Sequence, residues 1–93
     1  MEHIKLIDGE FDPLEAKEIL LNMISNKIQF HSIRDFSSDI RTGTPDKNSR
    51  KRLSELREAR EQIIAFLEKA KKEGWSVNIQ SSVNISCIKG EQV

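Results

Sequence analysis

The spacing of apolar residues changes along this chain of 93 residues, and it predicts two helices enclosed between two strands. Apolar side chains with partial alternation, followed by a glycine, predict a short strand over residues 3–9. From there the apolar positions recur every three or four residues, which predicts a helix over residues 13–35 with room for a kink near Asn26. A polar segment at residues 36–44 interrupts this period and predicts a loop.

The first helix has a well-marked start and a wide apolar face. Asp12 can cap it, Pro13 suits its first position, and Glu15 completes the spacing of a capping box. Eight apolar residues of this helix spread over roughly 200° of its circumference: Leu14, Ala16, Ile19, Leu20, Leu21, Met23, Ile24 and Ile28. One neighbour cannot cover so wide a face, so we expect burial against both a second helix and a sheet, or against a partner chain.

The second helix is predicted over residues 45–73 and has one apolar side. Thr44 can cap it and Pro45 suits its first position, while Gly74 can adopt the left-handed conformation that ends a helix. Its apolar residues fall within about 160° of arc, and the opposite face is almost wholly charged. This pattern is typical of a helix that packs on one side.

After the second helix the apolar period changes to two, which predicts a strand over residues 75–88. Alternate residues from Trp75 to Cys87 form a largely apolar face, and the residues between them form a polar face without a charge. We favour one long strand over a hairpin because residues 80–82 lack a turn signal. A bend at Ser81–Ser82 is the open alternative.

The order β-α-α-β defines the predicted fold class. We expect a single α+β domain over residues 1–93, in which a long antiparallel helical hairpin packs on a small antiparallel sheet. At roughly 3.3 Å per residue the last strand reaches about 43 Å and the first about 23 Å, so much of the last strand lacks a partner within the chain. Because an unpaired edge invites another chain, we expect the sheet to be completed by dimerisation, most simply as a twofold homodimer.

Charge and cysteine content limit the function classes. Fifteen basic and fifteen acidic residues cancel, unlike the composition of a dedicated nucleic-acid binder. Residues 1–44 hold five basic and eight acidic residues, whereas residues 45–93 hold ten and seven, which suits an internal or intermolecular charge match. A single cysteine, no signal-like segment and no apolar run of about 20 residues predict a reduced, cytoplasmic protein without membrane contact.

Few residues offer chemistry, and each has a simpler structural interpretation. His3 and His31 lack a second ligand at metal-binding spacing, and His31 is expected at a helix or dimer boundary. Cys87 lies on the apolar strand face without a flanking base, which predicts a buried, inert thiol. The sequence has no glycine-rich phosphate loop. We therefore predict no catalytic residue, no bound metal and no cofactor.

The segment DIRTGTPDKNSRKR, residues 39–52, is the candidate anion- or partner-binding site. The candidate binding residues are Arg41, Lys47, Arg50, Lys51, Arg52 and, farther along the second helix, Arg60. Arg50, Lys51 and Arg52 lie near the positive end of the helix dipole. We expect them to find acidic partners in the first half of the chain or in a second copy, ahead of a phosphate.

Arg60 interrupts the apolar seam of the second helix. An arginine there is expected to lay its stem over the core and to send its charge to water or to an acid. Asp35, Asp39 or an acid of a partner chain can serve as that acid.

Five segments stand out across residues 6–60: IDGEFDPLEAKEIL, KIQFH, FSS, RTGTPD and RLSELREAR. Together they resemble a group of short, uncharacterised bacterial proteins. The resemblance implies a free-standing bacterial protein, and it implies no activity, cofactor or functional residue.

Three hypotheses for function follow from these patterns. The first is a non-enzymatic, cytoplasmic, homo-oligomeric interaction protein whose fold is completed by self-association and which can also take another protein partner. The alternative is an anion- or nucleic-acid-binding accessory protein that uses residues 41–52. The third is a small-molecule enzyme or sensor that uses His31 and Arg60 at a dimer seam.

Overall fold

The computed structural model describes residues 1–90 and contains four elements. In chain order they are β1 (Glu2–Phe11), α1 (Pro13–Thr42), α2 (Lys47–Glu73) and β2 (Val77–Ile85). The two helices form an antiparallel hairpin that packs on a two-stranded antiparallel sheet. The predicted α+β fold class and the predicted order of elements are confirmed.

The two strands pair along the whole of β2, from Phe11 opposite Val77 to Glu2 opposite Ile85. This pairing tests two predictions. First, β1 is longer than residues 3–9 and β2 is shorter than residues 75–88, so the expected unmatched length of the last strand is wrong. Second, β2 continues without a hairpin at its middle, as favoured from the sequence.

A bulge explains the partial alternation of β1. The register shifts between Lys5 and Ile7, so that Ile4 faces Val83 and Ile7 faces Ser81. An extra residue in one strand reverses the side on which later side chains lie. The bulge therefore brings two isoleucines separated by an odd number of residues to the same face of the sheet.

The start of α1 is confirmed in detail. Asp12 accepts a hydrogen bond from the backbone N–H of Glu15 over 2.8 Å, and the Glu15 carboxylate accepts one from the backbone N–H of Asp12 over 3.3 Å. Pro13 occupies the first turn. This capping box fixes the point at which β1 turns into α1.

The end of α1 differs from the prediction, because the helix continues through the polar segment to Thr42. Serine and aspartate are only weakly unfavourable inside a helix, and the segment has no glycine or proline before Gly43. Gly43 then takes a left-handed conformation with φ of 71° and ends the helix. Thr42 donates a hydrogen bond to the carbonyl of Ser38 over 2.7 Å, which satisfies one terminal carbonyl.

The start of α2 also differs, whereas its end is as predicted. Asp46 caps the helix by accepting from the backbone N–H of Ser49, so Thr44 and Pro45 lie in the loop. Gly74 has φ of 70° and ends α2 in the expected left-handed conformation. The loop between the helices is therefore shorter than residues 36–44 and is displaced toward the second helix.

The hydrophobic core lies where the sheet meets the start of α1 and the end of α2. Its buried residues are Ala16, Leu67, Ala70, Val77 and Ile79, with Ile7, Phe11, Leu20 and Ile63 packed against them. The radius of gyration is 17.0 Å, whereas a compact chain of this length has about 12 Å. The far part of the hairpin extends beyond this core, so the single chain leaves much of its surface exposed.

Gly74 provides a test of the end of α2. A Cβ at this position would meet no atom within 4 Å, so the cost of Gly74→Ala is conformational rather than steric. We expect Gly74→Ala to lower the free energy of unfolding by about 1 kcal/mol, because an L-residue resists the left-handed region. Urea denaturation measures this loss.

Gly90→Ala is the matched control, since a Cβ there would also meet no atom within 4 Å and Gly90 lacks a left-handed φ. It should leave the unfolding midpoint unchanged. Equal midpoints for both variants would contradict the assigned role of Gly74.

Candidate functional site

A row of exposed apolar side chains runs along α1, and we define it as the outer stripe: Met23, Phe30, Ile33, Phe36 and Ile40. Their exposed fractions range from 41% at Met23 to 67% at Ile40. A contiguous apolar patch on a protein surface marks a site of interaction. The outer stripe is therefore the principal candidate site of this chain.

The outer stripe lies on the side of α1 that points away from α2. His31 and Asp35 face α2, where they contact Ser49 and Arg50. At 100° per residue, Ile33 lies about 160° around the helix from both of them. The stripe thus forms the outer edge of the hairpin, and α2 cannot cover it.

A shallow hollow interrupts the outer stripe. Its lining residues are Phe30, Ile33, Arg34, Ser37 and Arg41. The hollow exists because Ser37 is small, whereas Ile33, Arg34 and Arg41, one turn away, are long. Two arginines line a hollow that also has two apolar side chains, so it suits an apolar group with a polar or anionic neighbour.

Crossed ion pairs join the helices beside the loop. Arg34 of α1 lies 3.1 Å from Asp46, the residue that caps α2, and Arg50 of α2 lies 3.1 Å from Asp35 of α1. Asp35 also accepts a hydrogen bond from the backbone N–H of Asp46 over 3.0 Å. Each aspartate therefore binds both a guanidinium and a backbone N–H, and together they fix the loop end of the hairpin.

Asp46 has a lowered pKa because of these contacts. The backbone N–H of Ser49 donates to its carboxylate and holds the pKa of Asp46 below its ordinary value of 3.8, and the Arg34 guanidinium acts in the same direction. The ionised form is thus favoured in the folded chain.

The structure separates the six candidate basic residues. Arg50 pairs with Asp35, which agrees with the expected acidic partner from the first half of the chain. Arg52 pairs instead with Glu55 of its own helix. Arg41, Lys47 and Lys51 form no ion pair within residues 1–90. All three side chains are exposed, so they are separate cations on the protein surface.

Arg60 pairs with neither Asp35 nor Asp39, and of the destinations expected from the sequence the structure shows the one exposed to water. Its guanidinium lies 3.6 Å from Glu61, and its side chain is 41% exposed. Asp35 is already bound by Arg50 near the loop, and Arg60 lies roughly 15 Å farther along α2 from Arg50. Arg60 therefore snorkels to water at the surface.

His31 and Ser49 form a pair that the sequence did not reveal. The Nδ1 atom of His31 lies 3.2 Å from the Ser49 hydroxyl, a separation that also suits a histidine base and a serine nucleophile. Ser49 is only 2% exposed, however, so a substrate cannot reach its hydroxyl. The pair joins the two helices.

Cys87 is exposed, which corrects the prediction of a buried thiol. β2 ends at Ile85, so Cys87 lies beyond the part of the strand that the helices cover. Nowhere in residues 1–90 do three or more potential metal-ligating side chains gather as a metal site requires. Neither helix in the described part of the chain is long and apolar enough to cross a membrane.

Comparisons of the chain with family models, with curated proteins and with solved structures found no match.

The lowered pKa of Asp46 predicts a pH dependence of stability. Because the folded-state pKa lies below the unfolded value, ionised Asp46 stabilises the fold above its ordinary pKa, and this contribution is lost as the pH falls through the lowered pKa. Asp46→Asn keeps a capping oxygen but removes the charge. As the pH falls below the ordinary value of 3.8, the urea midpoint of the wild type should therefore fall more steeply than that of Asp46→Asn.

Glu68→Gln is the control, since Glu68 is an exposed carboxylate of the same helix. It should follow the wild-type curve. Parallel curves for the wild type and Asp46→Asn would show that the Asp46 charge does not stabilise the fold.

Proposed function

We propose that the protein is a non-enzymatic, cytoplasmic interaction protein that forms homodimers through the outer stripe of α1. The observation that carries this proposal is the exposure of Phe30, Ile33, Phe36 and Ile40 on one side of a helix. Burial of such side chains against a partner removes apolar surface from water and stabilises the assembly.

The surface area of the chain supports a need for a partner. Its accessible surface is 7753 Å², whereas a compact monomer of this mass exposes roughly 5,500 Å². The difference exceeds the area of about 800 Å² that each partner buries in a standard interface. Enough surface is therefore free for a stable interface.

A second copy is the partner that best suits this need. A chain with so small a core gains stability from association, and a second copy is present wherever the first is made. Twofold homodimers are also the commonest assemblies of soluble proteins. Since β1 and β2 pair fully with each other, the proposal rests on the helix and no longer on an unmatched strand.

The placement of the titratable side chains supports a non-enzymatic role. Ser49 is buried beside His31, and Arg60 lies about 16 Å along α2 from Ser49. A sensor or enzyme that uses His31 together with Arg60 would need both groups at one site. Their separation favours interaction over catalysis.

The alternative function is binding of an anion or a nucleic acid by the basic segment. Lys47 and Lys51 favour it because they are exposed near the start of α2 without an acidic residue in its first turn. Two neighbouring cations at the positive end of a helix attract phosphates. Arg50 and Arg52 support it less, since each already binds a carboxylate.

The homodimer predicts a mass of twice 10.7 kDa by light scattering at micromolar concentration. Ile33→Glu should raise the dissociation constant at least about 30-fold, because a charge replaces a central apolar contact in both copies. Ile33 is exposed in the single chain, so the helical circular dichroism signal should persist in the variant.

Leu14→Glu is the matched control, since Leu14 is 75% exposed on the same helix but lies outside the outer stripe. It should remain dimeric. A wild-type mass of 10.7 kDa from micromolar to near-millimolar concentration would refute the proposed function.

The alternative function is tested by retention on mixed DNA and RNA at low salt. The proposed function predicts no retention of the wild-type chain, whose net charge is zero. Retention that weakens with salt and is lost in the Lys47→Ala, Lys51→Ala double variant would favour the alternative. Lys71→Ala, at the opposite end of α2, is the control for a general effect of charge.

A further inference from the structure

Four of the five residues of the outer stripe, all except Phe36, belong to a longer pattern with the period of a coiled coil. Positions separated alternately by four and three residues run along α1: Ile19, Met23, Asn26, Phe30, Ile33, Ser37 and Ile40. Five of these seven side chains are apolar, and the spacing averages 3.5 residues. Such a pattern forms a seam along which a second helix packs with its side chains in register.

The hollow in the outer stripe has the geometry that such a seam requires. Phe30, Ile33, Arg34 and Ser37 lie at intervals of three, four and seven residues, and all four line the hollow. Four residues at these intervals form the hole that receives one side chain of a facing helix. The hollow is thus an empty hole of a helix-packing seam.

The two flanks of the seam differ in charge. One flank contains Lys27, Arg34 and Arg41, seven residues apart. The other flank contains Asn22, Gln29 and Phe36, also seven residues apart. Flanking residues set the orientation of paired helices, so this difference discriminates between the two directions in which a second α1 can pack.

We infer that two copies of the chain pair through α1 in parallel and in register. In a parallel pair, each flank faces the opposite flank of the partner five residues along. Lys27 and Arg34 then meet the side-chain amides of Asn22 and Gln29 from the second copy, and Arg41 meets the ring of Phe36. Every cation thus meets either an amide oxygen that accepts a hydrogen bond or the face of an aromatic ring.

The antiparallel pair is disfavoured by the same residues. In an antiparallel pair, each flank would face the same flank of the second copy. Lys27, Arg34 and Arg41 of one copy would then lie along the same three cations of the other. Like charges at neighbouring positions oppose association. Arg34 is partly compensated by Asp46, but Arg41 has no ion pair within the described residues.

An aromatic ring beside a cation already occurs on this face of α1. The ammonium group of Lys27 lies 5.0 Å from the centre of the Phe30 ring. The same type of contact can form between Arg41 and Phe36 of the second copy. The twofold axis would produce two such contacts in the dimer. In register, Asn26 also meets Asn26 of the second copy, and a polar residue in a seam specifies alignment.

This inference rests on the proposed homodimer, and disulfide trapping separates the two claims. Phe30→Cys and Ile40→Cys are made as separate proteins in a Cys87→Ser background, and one of them is labelled with ¹⁵N. Each protein is oxidised alone, and a mixture of the two is oxidised as well. In the parallel arrangement each residue meets its own copy, so each variant alone should form a disulfide dimer. The mixture should yield few crosslinks between the two variants.

The other outcomes are equally informative. Crosslinks only between Phe30→Cys and Ile40→Cys, with a dimeric mass by light scattering, would keep the homodimer and overturn the parallel orientation. Failure of both variants to crosslink despite a dimeric mass would overturn the parallel, in-register arrangement. A monomeric mass for the wild type would refute the proposed function and the inference together.

Arg41→Glu provides a second measurement that needs no cysteine. In the parallel arrangement it removes two contacts with Phe36 and should raise the dissociation constant roughly five-fold or more. In the antiparallel arrangement it would relieve repulsion and lower that constant. Lys47→Glu changes charge equally but lies outside the seam, so it should leave the dissociation constant nearly unchanged.

Discussion

The difference in length between the helices and the sheet is the constraint on which the rest of the structure depends. A helix of 30 residues extends about 45 Å, whereas a strand of nine residues extends about 30 Å. The strands pack near the start of α1 and the end of α2, where the buried core lies. The remaining part of the hairpin has only itself to pack against, and this leaves one side of α1 exposed.

The part of the hairpin that the core at the sheet does not reach is held by the buried side chains of Leu53 and Leu56 and by polar contacts. Asp35 and Asp46 each accept a backbone or guanidinium hydrogen from the opposite helix or loop, and the His31–Ser49 pair lies one turn closer to the core. These contacts fix the rotation of α1 about its own axis. That rotation in turn determines which residues form the outer edge, so the polar face of α1 positions its apolar face.

Local signals allowed much of the fold to be predicted from the sequence, whereas long-range ones did not. Asp12, Pro13 and Glu15 act within one turn, and Gly74 acts at a single residue, so their roles could be predicted. The end of α1 was missed because a run of serines resembles a loop, although only Gly43 supplies the conformation that ends the helix. The extension of β1 to Phe11 was not predicted because Gly9 resembles the end of a strand, although β1 continues through it.

The candidate site was predictable only in part, for a related reason. The period of apolar residues predicts that α1 has more apolar surface than one neighbour can cover, although the eight residues that define this face include only Met23 of the outer stripe. Phe36 and Ile40 fall in the predicted loop, so the sequence does not assign them to the helix. Arg50 was expected to find an acid in the first half of the chain, but the reciprocal pair of Arg34 and Asp46 depends on the hairpin register, which periodicity does not reveal.

The pairing of β1 with β2 also orders the folding of the chain. Phe11 and Val77 are neighbours in the sheet although about 66 residues separate them, and closing so long a loop from an unfolded chain is entropically costly. The hairpin contacts join residues much closer in sequence, so they can form early and bring the two ends of the chain together. The strands then pair last. A formed sheet therefore indicates that the two helices have already packed together.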